Sequence, residues 1–337
     1  MQKSTLLMLA VIASINATAQ DSLPKFQFED VDATPTKTYC TPKVLNQSAN
    51  KFISIGYEMQ GAFPITYNTS TPTSVTEHRH EVNNVRGLRL GFSTPVISTN
   101  KLVANVSANY WRSGFGVSSH QHHNTPIQSV LTNGMHTAGI GTTIFKPLND
   151  KNFLLVQANA DANWSANSLS NISTKALTVN GSVLYGWKKS DNNMIAIGAS
   201  RTYRLGRPLI VPVLLWNKTF NDKWGMELLL PARAHIRYNV NPKSMLFAGF
   251  ELEGNQYALY QNNSNSILYL QRGEIKPRLM YERSIAGFWW ISIQAGARIN
   301  GRFNVVNQYN GDEAREVLTT TLGTTWYSSI SLQLISL

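Results

Sequence analysis

The stretch Trp289–Arg302, WWISIQAGARINGR, separates into two faces when every second residue is taken. A period of two residues is the period of a β-strand. Strands of globular proteins are mostly about five or six residues long, whereas a strand that crosses a membrane needs roughly nine to eleven. The stretch therefore predicts a membrane-spanning strand with one face toward lipid. The apolar face holds Trp289, Ile291, Ile293, Ala295, Ala297 and Ile299, and the polar face holds Ser292, Gln294, Gly296, Arg298, Asn300 and Arg302.

The same alternation recurs along most of the chain beyond residue 50, most clearly in Leu154–Trp164. Short turns such as Ser190–Asn193 alternate with long polar loops, as in bacterial barrels with periplasmic turns and extracellular loops. The sequence therefore predicts an all-β fold, a transmembrane antiparallel up-and-down β-barrel. Thirteen candidate segments are recognisable, but such barrels have an even number of strands. We expect twelve strands, or fourteen if Pro231 marks a tight outer turn.

The N-terminus has the features of an export signal. Lys3 is followed by the apolar run Leu6–Ile15, and cleavage is expected near Ala19/Gln20. Residues 1–19 are thus predicted to be a signal peptide for Sec-type export. Residues 20–50 lack a periodic pattern and predict an extended periplasmic segment or a plug, and residues 51–337 predict the barrel. The single cysteine, Cys40, excludes an internal disulfide.

The composition suits a barrel better than a helical membrane protein or a nucleic-acid-binding protein. Charged residues make up 15% of the chain, against about 25% in typical soluble proteins. The net charge is +11, but no basic cluster or zinc-finger spacing accompanies it. We therefore expect no nucleic-acid partner and no cofactor. The expected partners are outer-membrane lipid, lipopolysaccharide and the barrel-assembly machinery, and the oligomeric state stays open.

Three features together resemble a known class of protein. They are the small residues Ala17 and Ala19 at the cleavage site, the repeated amphipathic strands, and an aliphatic last strand that ends at Leu337. In these respects the chain is similar to outer-membrane β-barrel proteins of unknown function from Gram-negative bacteria. The resemblance implies location in the outer membrane and a role in transport, adhesion or envelope structure. An aromatic last residue is more usual in such barrels than leucine.

Charged residues on the predicted inner faces of the C-terminal half form the main candidate site. If Asn241–Lys243 forms a short turn, Arg233 lies opposite Glu251, where opposite charges attract. Charge rings set selectivity in channels, so one hypothesis is a pore or transporter for small polar or anionic solutes. The alternative is a structural or interaction barrel with a closed, salt-bridged lumen. The candidate residues are Arg233, His235, Arg237, Glu251, Glu253, Arg272, Glu274, Lys276, Arg278, Arg298 and Arg302.

The histidines give only weak hypotheses. His120, His122 and His123 fall in a predicted outer loop, as do His78 and His80, but no carboxylate or cysteine completes a metal-ligand spacing. His136 is predicted on the lipid side, where an outer-membrane lipase or deacylase would place a Ser/His pair. The sequence supplies no orienting partner beside it. We therefore predict no catalytic residue and no metal site, and a lipid-modifying enzyme is the least favoured of the three functions.

Overall fold

The computed structural model describes residues 40–70, 75–117, 125–165, 174–260, 267–309 and 316–336. These residues contain seventeen strands, one α-helix, α1 (Pro126–Asn133), and a short 3-10 helix at Thr174–Ala176. The strands are β1 (Asn50–Gln60), β2 (Phe63–Ser70), β3 (Val75–Thr99), β4 (Leu102–Val117), β5 (Met135–Pro147), β6 (Asn152–Ser165), β7 (Leu177–Ser190), β8 (Asn193–Thr202), β9 (Leu209–Thr219), β10 (Trp224–Leu230), β11 (Arg233–Asn241), β12 (Ser244–Leu259), β13 (Leu268–Ala286), β14 (Trp289–Val306), β15 (Glu316–Leu318), β16 (Thr320–Leu322) and β17 (Thr325–Ser336).

The sheet closes on itself, because β1 pairs with β3 on one side and with β17 on the other. Strand β2 continues β1 after a break, and β15 and β16 precede β17 in the same way, so the wall has fourteen strands. All neighbours in the wall are antiparallel, which confirms the predicted up-and-down barrel. The number of strands is therefore fourteen, the alternative prediction, and not the preferred twelve. Pro231 and Ala232 form a tight outer turn that separates β10 from β11.

The outer surface of the wall is apolar, as the alternation predicts. Ile140, Ile210 and Leu279 are 68%, 78% and 66% exposed, which is favourable only where lipid replaces water. Trp289 lies on this surface at the end that carries the short turns, the periplasmic end. None of the helices in the described parts of the chain is long and apolar enough to cross a membrane.

Helix α1 fills the outer end of the barrel. Thr125 caps it by accepting a hydrogen bond from the Gln128 amide, and Ile127, Val130 and Leu131 form one buried face. This face packs in a cluster with inward side chains of several strands, Phe303 among them. The sequence analysis predicted only strands, turns and polar loops in the barrel and so missed this helix. The i, i+3, i+4 spacing of the three apolar residues is the helical signal that it missed.

The outer end also contains a seam across the barrel. The tip of β12 pairs in parallel with β6, through Ala258 with Trp164 and Leu259 with Ser165, although five wall strands, β7 to β11, lie between them. Ala258 and Trp164 are buried in a cluster with Tyr269. The β12–β13 hairpin therefore bends across the opening instead of standing upright around it.

Residues 40–49 lie in the periplasmic end. Cys40 and Val44 are buried in a cluster with inward side chains of the wall, such as Phe153. The Ser48 hydroxyl donates to Glu227 at 2.6 Å, and the Lys188 ammonium donates to the backbone carbonyl of Lys43 at 3.0 Å. Burial raises the pKa of the Cys40 thiol and so disfavours its reactive thiolate. The proposed boundary at residue 50 and the signal peptide stay predictions, since residues 1–39 lie outside the described part.

Candidate functional site

Four charged side chains meet at the centre of the lumen. The Arg89 guanidinium donates to both carboxylate oxygens of Glu253, at 2.6 and 2.9 Å, and lies 2.8 Å from Glu58. Lys276 donates to the same two acids, at 2.7 Å to Glu253 and 3.0 Å to Glu58. Glu58 and Arg89 come from the N-terminal strands and the other two from β12 and β13. The cluster therefore ties the first and last parts of the wall together across the interior.

Further ion pairs extend this cluster along the same side of the lumen. Arg272 pairs with Glu274 at 2.7 Å, and Arg278 pairs with Glu251 at 2.5 Å. Breaking one member of a buried pair is expensive, because the remaining charge loses both its partner and its water. The predicted acids and bases on β12 and β13 are thus brought together, mostly with partners that are not their nearest neighbours in the sheet.

Trp111 lies at the centre of the cationic groups. The Arg89 guanidinium lies 4.2 Å from the centre of its indole ring and the Arg272 guanidinium 4.7 Å, both within the range of cation–π attraction. Trp111 pairs with the inward Arg89 in the sheet and so faces the lumen, not the lipid.

Two cavities lie in the lumen. The periplasmic cavity has a volume of about 440 Å³, and its wall includes Ser48, Arg233, His235 and Glu282. The outer cavity has a volume of about 470 Å³ and is lined mainly by strands β4 to β10. Arg89 and Glu253 contribute to the walls of both cavities. Their ion pair is therefore positioned between the two spaces.

On β4, β6 and β7 the outer cavity is lined mainly by amides, whereas most of its charged lining residues, Arg89, Arg201, Arg204 and Glu253, come from other parts of the wall. Its amide side chains alternate with lipid-facing alanines and valines on the same strands. Asp161 is the acid among them, and it accepts a hydrogen bond from the Asn180 amide at 3.2 Å. The amide residues on this wall are Asn109, Gln157, Asn159, Asn180 and Asn255.

Two glycines on β5 make room for this wall. A Cβ atom at Gly139 would lie 1.9 Å from the Asp161 carboxylate, and one at Gly141 would lie 2.0 Å from the Asn159 amide oxygen. Side chains from β6 therefore lie flat over bare backbone on β5. Because these two inward positions of β5 carry no side chain, the lumen in front of β5 and β6 stays open.

The other predicted lumen residues have varied positions. Arg233 lies opposite Glu251 in the β11–β12 register and, with His235, lines the periplasmic cavity. Arg237 is fully buried against Glu227 at 2.9 Å. Arg298 is 1% exposed, packs 4.0 Å from the Phe63 ring, and has no carboxylate within ion-pair distance among the described residues.

Arg302 is not in the lumen. Strands β13 and β14 pair with a register shift, in which Glu274 faces Asn300 but Gly273 faces Arg302, so Gly301 is an extra residue. The extra residue moves Arg302 to the outer face of the wall, where it bonds to Gln271 at 2.8 Å. The expectation that Arg302 lines the lumen was therefore wrong.

The histidines do not form a recognisable metal site. His78 and His80 lie in strand β3, not in a loop, and the Tyr67 hydroxyl is 3.1 Å from the His80 ring. His120, His122 and His123 lie outside the described residues. Within the described ranges, no group of three or more potential metal ligands occurs.

His136 lies on the outer face within a cluster of aromatic residues. The Tyr110 hydroxyl is 3.0 Å from its ring nitrogen, and the indole of Trp164 stacks on it at 5.3 Å between ring centres. A hydrolase would need a serine nucleophile at the first of these positions and an orienting acid or amide beside the ring. The contacts seen are those of an interfacial aromatic group.

Most of the barrel sequence matches a known family. Residues 89–334 match the family described as a domain of unknown function, DUF6268. The chain belongs to the DUF6268 family. No curated protein matches it in sequence.

Among solved structures, this DUF6268 barrel is similar to an outer membrane channel from Pseudomonas putida F1. The two share 12% identity with a TM-score of 0.39, over 90% of this chain and 100% of the other. A FadL homologue from Pseudomonas aeruginosa gives 10% identity and 0.38 over 85% and 90% of the chains. The toluene transporter TodX of Pseudomonas putida gives 11% and 0.29 over 85% and 90%. Scores this low carry no argument about function.

Several residues of the DUF6268 interior were missed by the sequence analysis. Glu58 was placed inward but not included in the site, and Arg89 was not singled out at all. The signal for Arg89 was present, because it alternates with the outward Leu88 and Leu90. Glu227, the partner of Arg237, was hidden in the segment that Pro231 divides.

Proposed function

We propose that this protein is an outer-membrane pore for small polar solutes, held closed in the described state by a central ion-pair barrier. The observation that carries the proposal is that Arg89 and Glu253 line both lumen cavities. A solute that crosses the barrel along these spaces has to pass that pair. Together the cavities provide a polar path, and the ion pair provides a gate.

The chemistry of the gate supports a barrier that can move. Arg89 retains 33% exposure of its side chain, although it pairs with two acids, whereas Lys276 beside it is 1% exposed. Lys276 holds Glu253 and Glu58 in place when the Arg89 side chain swings aside. With Arg89 away, Lys276 balances one of the two carboxylates, which limits the electrostatic penalty of opening but does not remove it.

Residues 40–49 support a second closure, at the periplasmic end. They are held by individual hydrogen bonds and a small apolar cluster, not by strand pairing, and the bonds include Ser48 with Glu227 and the Leu45 carbonyl with the Thr219 hydroxyl at 2.5 Å. A segment held in this way can be released without breaking the sheet. We propose that it acts as a plug below the periplasmic cavity.

The cavity walls favour polar solutes without a strong preference for anions. The periplasmic cavity interleaves bases such as Arg233 and Arg278 with acids such as Glu251 and Glu282. A charge ring of one sign, which sets strong ion selectivity, is not what these residues form. Arg298, expected earlier as an anion-attracting residue, lines neither cavity.

A closed structural barrel is the second candidate. It is favoured by the complete burial of Arg237 and the near-complete burial of Lys276, which make part of the interior a fixed salt-bridged core. In that case the two cavities are spaces between packed layers, and neither end opens.

Planar bilayer recording separates the two candidates. We expect rare, small conductance steps from the full chain, larger steps from Arg89→Ala, and more frequent openings after deletion of residues 40–48. Arg86→Ala is the matched control, because it removes the same charge from the outer face of the same strand and should leave the conductance unchanged. Heat-modifiable gel mobility verifies that each variant is folded. Silence from all the folded variants would exclude the pore and favour the structural barrel.

A further inference from the structure

We propose that the outer cavity is a binding site for a neutral polyhydroxylated solute of monosaccharide size. The inference rests on the proposed pore, for which it names the class of solute. The volume of about 470 Å³ falls in the range of small-molecule sites, roughly 300 to 1,000 Å³. The class follows from which polar groups face the space and which of them are already paired.

The amide wall offers free donors and acceptors. An amide side chain carries two N–H donors and one carbonyl acceptor, and a hydroxyl group can complement either. Asn109 is exposed although it faces the interior of the barrel, so its amide contacts the open space. The Asn180 carbonyl oxygen is buried and has no hydrogen-bond partner among the described residues. Because that oxygen is out of reach of a solute, the accessible amide groups of the wall are those of Asn109 and Asn159.

The charged groups around the cavity are already paired. Arg89 is bidentate with Glu253. At the outer rim, the Arg204 guanidinium donates to the Leu252 carbonyl at 2.6 Å, and the Arg201 guanidinium donates to the Tyr203 hydroxyl at 3.0 Å. Arg201 bonds only to neutral oxygens, so an anion would find its countercharge at the rim, whereas Arg89 would have to leave Glu253 before it could bind an anion. A neutral solute needs only the amides and no charged group, so the amide wall suits it.

The opposite wall is apolar. Val211, Val213 and Leu229 face the cavity from β9 and β10. A cyclic polyol has hydroxyl groups along its edge and C–H groups on its ring faces. Its edge fits the amides of β4, β6 and β7, and one ring face fits the aliphatic wall. A pure hydrocarbon would displace water from the amide wall without replacing its hydrogen bonds, and each amide desolvated in this way costs binding free energy.

A roof of satisfied polar groups closes the cavity toward the seam. Asn163 accepts from the Thr137 hydroxyl at 2.8 Å and from the Asn255 amide at 2.7 Å, and it donates to the Thr178 hydroxyl at 2.8 Å. These groups are hydrogen-bonded mainly to one another. The free amides therefore lie in one patch below the roof, which gives the site a defined position.

The test is isothermal titration of the folded full-length protein in detergent with glucose and with myo-inositol. We expect saturable heats for both, in the millimolar range. Asn109→Leu and Asn159→Leu should each weaken binding about tenfold, through the loss of one or two hydrogen bonds. Asn105→Leu is the matched control, since Asn105 faces inward on the same strand as Asn109 but does not line the cavity. It should bind as the unmodified protein does.

The remaining arms separate this site from the pore and from other solutes. Glucose should also reduce the conductance of Arg89→Ala, which keeps the amide wall of the cavity. Conductance steps without saturable sugar heats would overturn the site and leave the pore standing. Sugar binding without conductance in any variant would support the site and reject the pore. Saturable binding of toluene or acetate in place of the polyols would overturn the assignment of the ligand class.

Discussion

The two sides of the lumen are built from the same strand pattern but have opposite interiors. On β13 the inward positions are Arg272, Glu274, Lys276 and Arg278, and the first three are packed in ion pairs and line neither cavity. On β6 the corresponding positions are amides and Asp161, opposite the glycines of β5, and the space in front of them is open. The period of two residues determines the wall, and the inward residue types determine whether that side is filled or hollow.

The charged side and the amide side of the lumen are stabilised in different ways. A buried charge requires a partner from another strand, so the charged side joins distant parts of the chain. A neutral amide can be satisfied by a neighbour or by water, so the amide side tolerates a cavity. The charged side should therefore lose much stability when one group is removed, and the amide side little.

The largest effect should come from Glu253→Gln on the charged side. The change leaves Arg89 with Glu58 alone and Lys276 with Glu58 and Glu274, and breaking a buried pair costs about 3–5 kcal/mol. Urea unfolding of the folded barrel in lipid vesicles measures the free energy. Glu81→Gln is the control, because the Arg79–Glu81 pair is mostly exposed and such pairs contribute about 0–1 kcal/mol. Equal losses in the two variants would contradict the role of burial.

An intermediate effect should come from Asn163→Leu in the roof of the outer cavity. The side chain is fully buried, and its loss leaves hydroxyl groups of Thr137 and Thr178 and the amide of Asn255 without that partner. Groups left unsatisfied in this way cost about 1–3 kcal/mol. The same urea experiment measures this loss of unfolding free energy, with Asn105→Leu as the reference. A loss as large as that of Glu253→Gln would show that the amide side is as demanding as the charged side.

The smallest effect should come from Asp161→Asn on the hollow side. Its carboxylate accepts from the Asn180 amide, a neutral donor, and an asparagine keeps the shape and one acceptor. The expected loss is below about 1 kcal/mol. A decrease of several kcal/mol in the free energy of unfolding would instead indicate that Asp161 neutralises a buried cation. The contrast between the two sides of the lumen would then be wrong.

The sequence was sufficient for the wall but not for what lies inside it. Alternation fixed the lipid face, the turns and the Arg233–Glu251 register, because these depend on neighbours along or between adjacent strands. The contact of Glu58 with Lys276 joins residues that are 218 positions apart and crosses the lumen. The sequence contains no local periodic signal for such a contact. The same holds for the seam of β12 with β6, which requires one hairpin to bend over the opening.

The bulge at Gly301 shows how one unpaired residue can change which side chains face inward at the end of a strand. Before it, the inward positions of β14 are polar, and after it they are Phe303 and Val305, which join the apolar cluster around α1. If Gly301 instead took a regular strand position, the same sequence would turn its aromatic and aliphatic side chains to the outer surface and Arg302 to the interior. Loss of the bulge without any change in chain length would therefore exchange the contents of the outer mouth. Such a change offers evolution a means of altering the mouth without altering the strands below it.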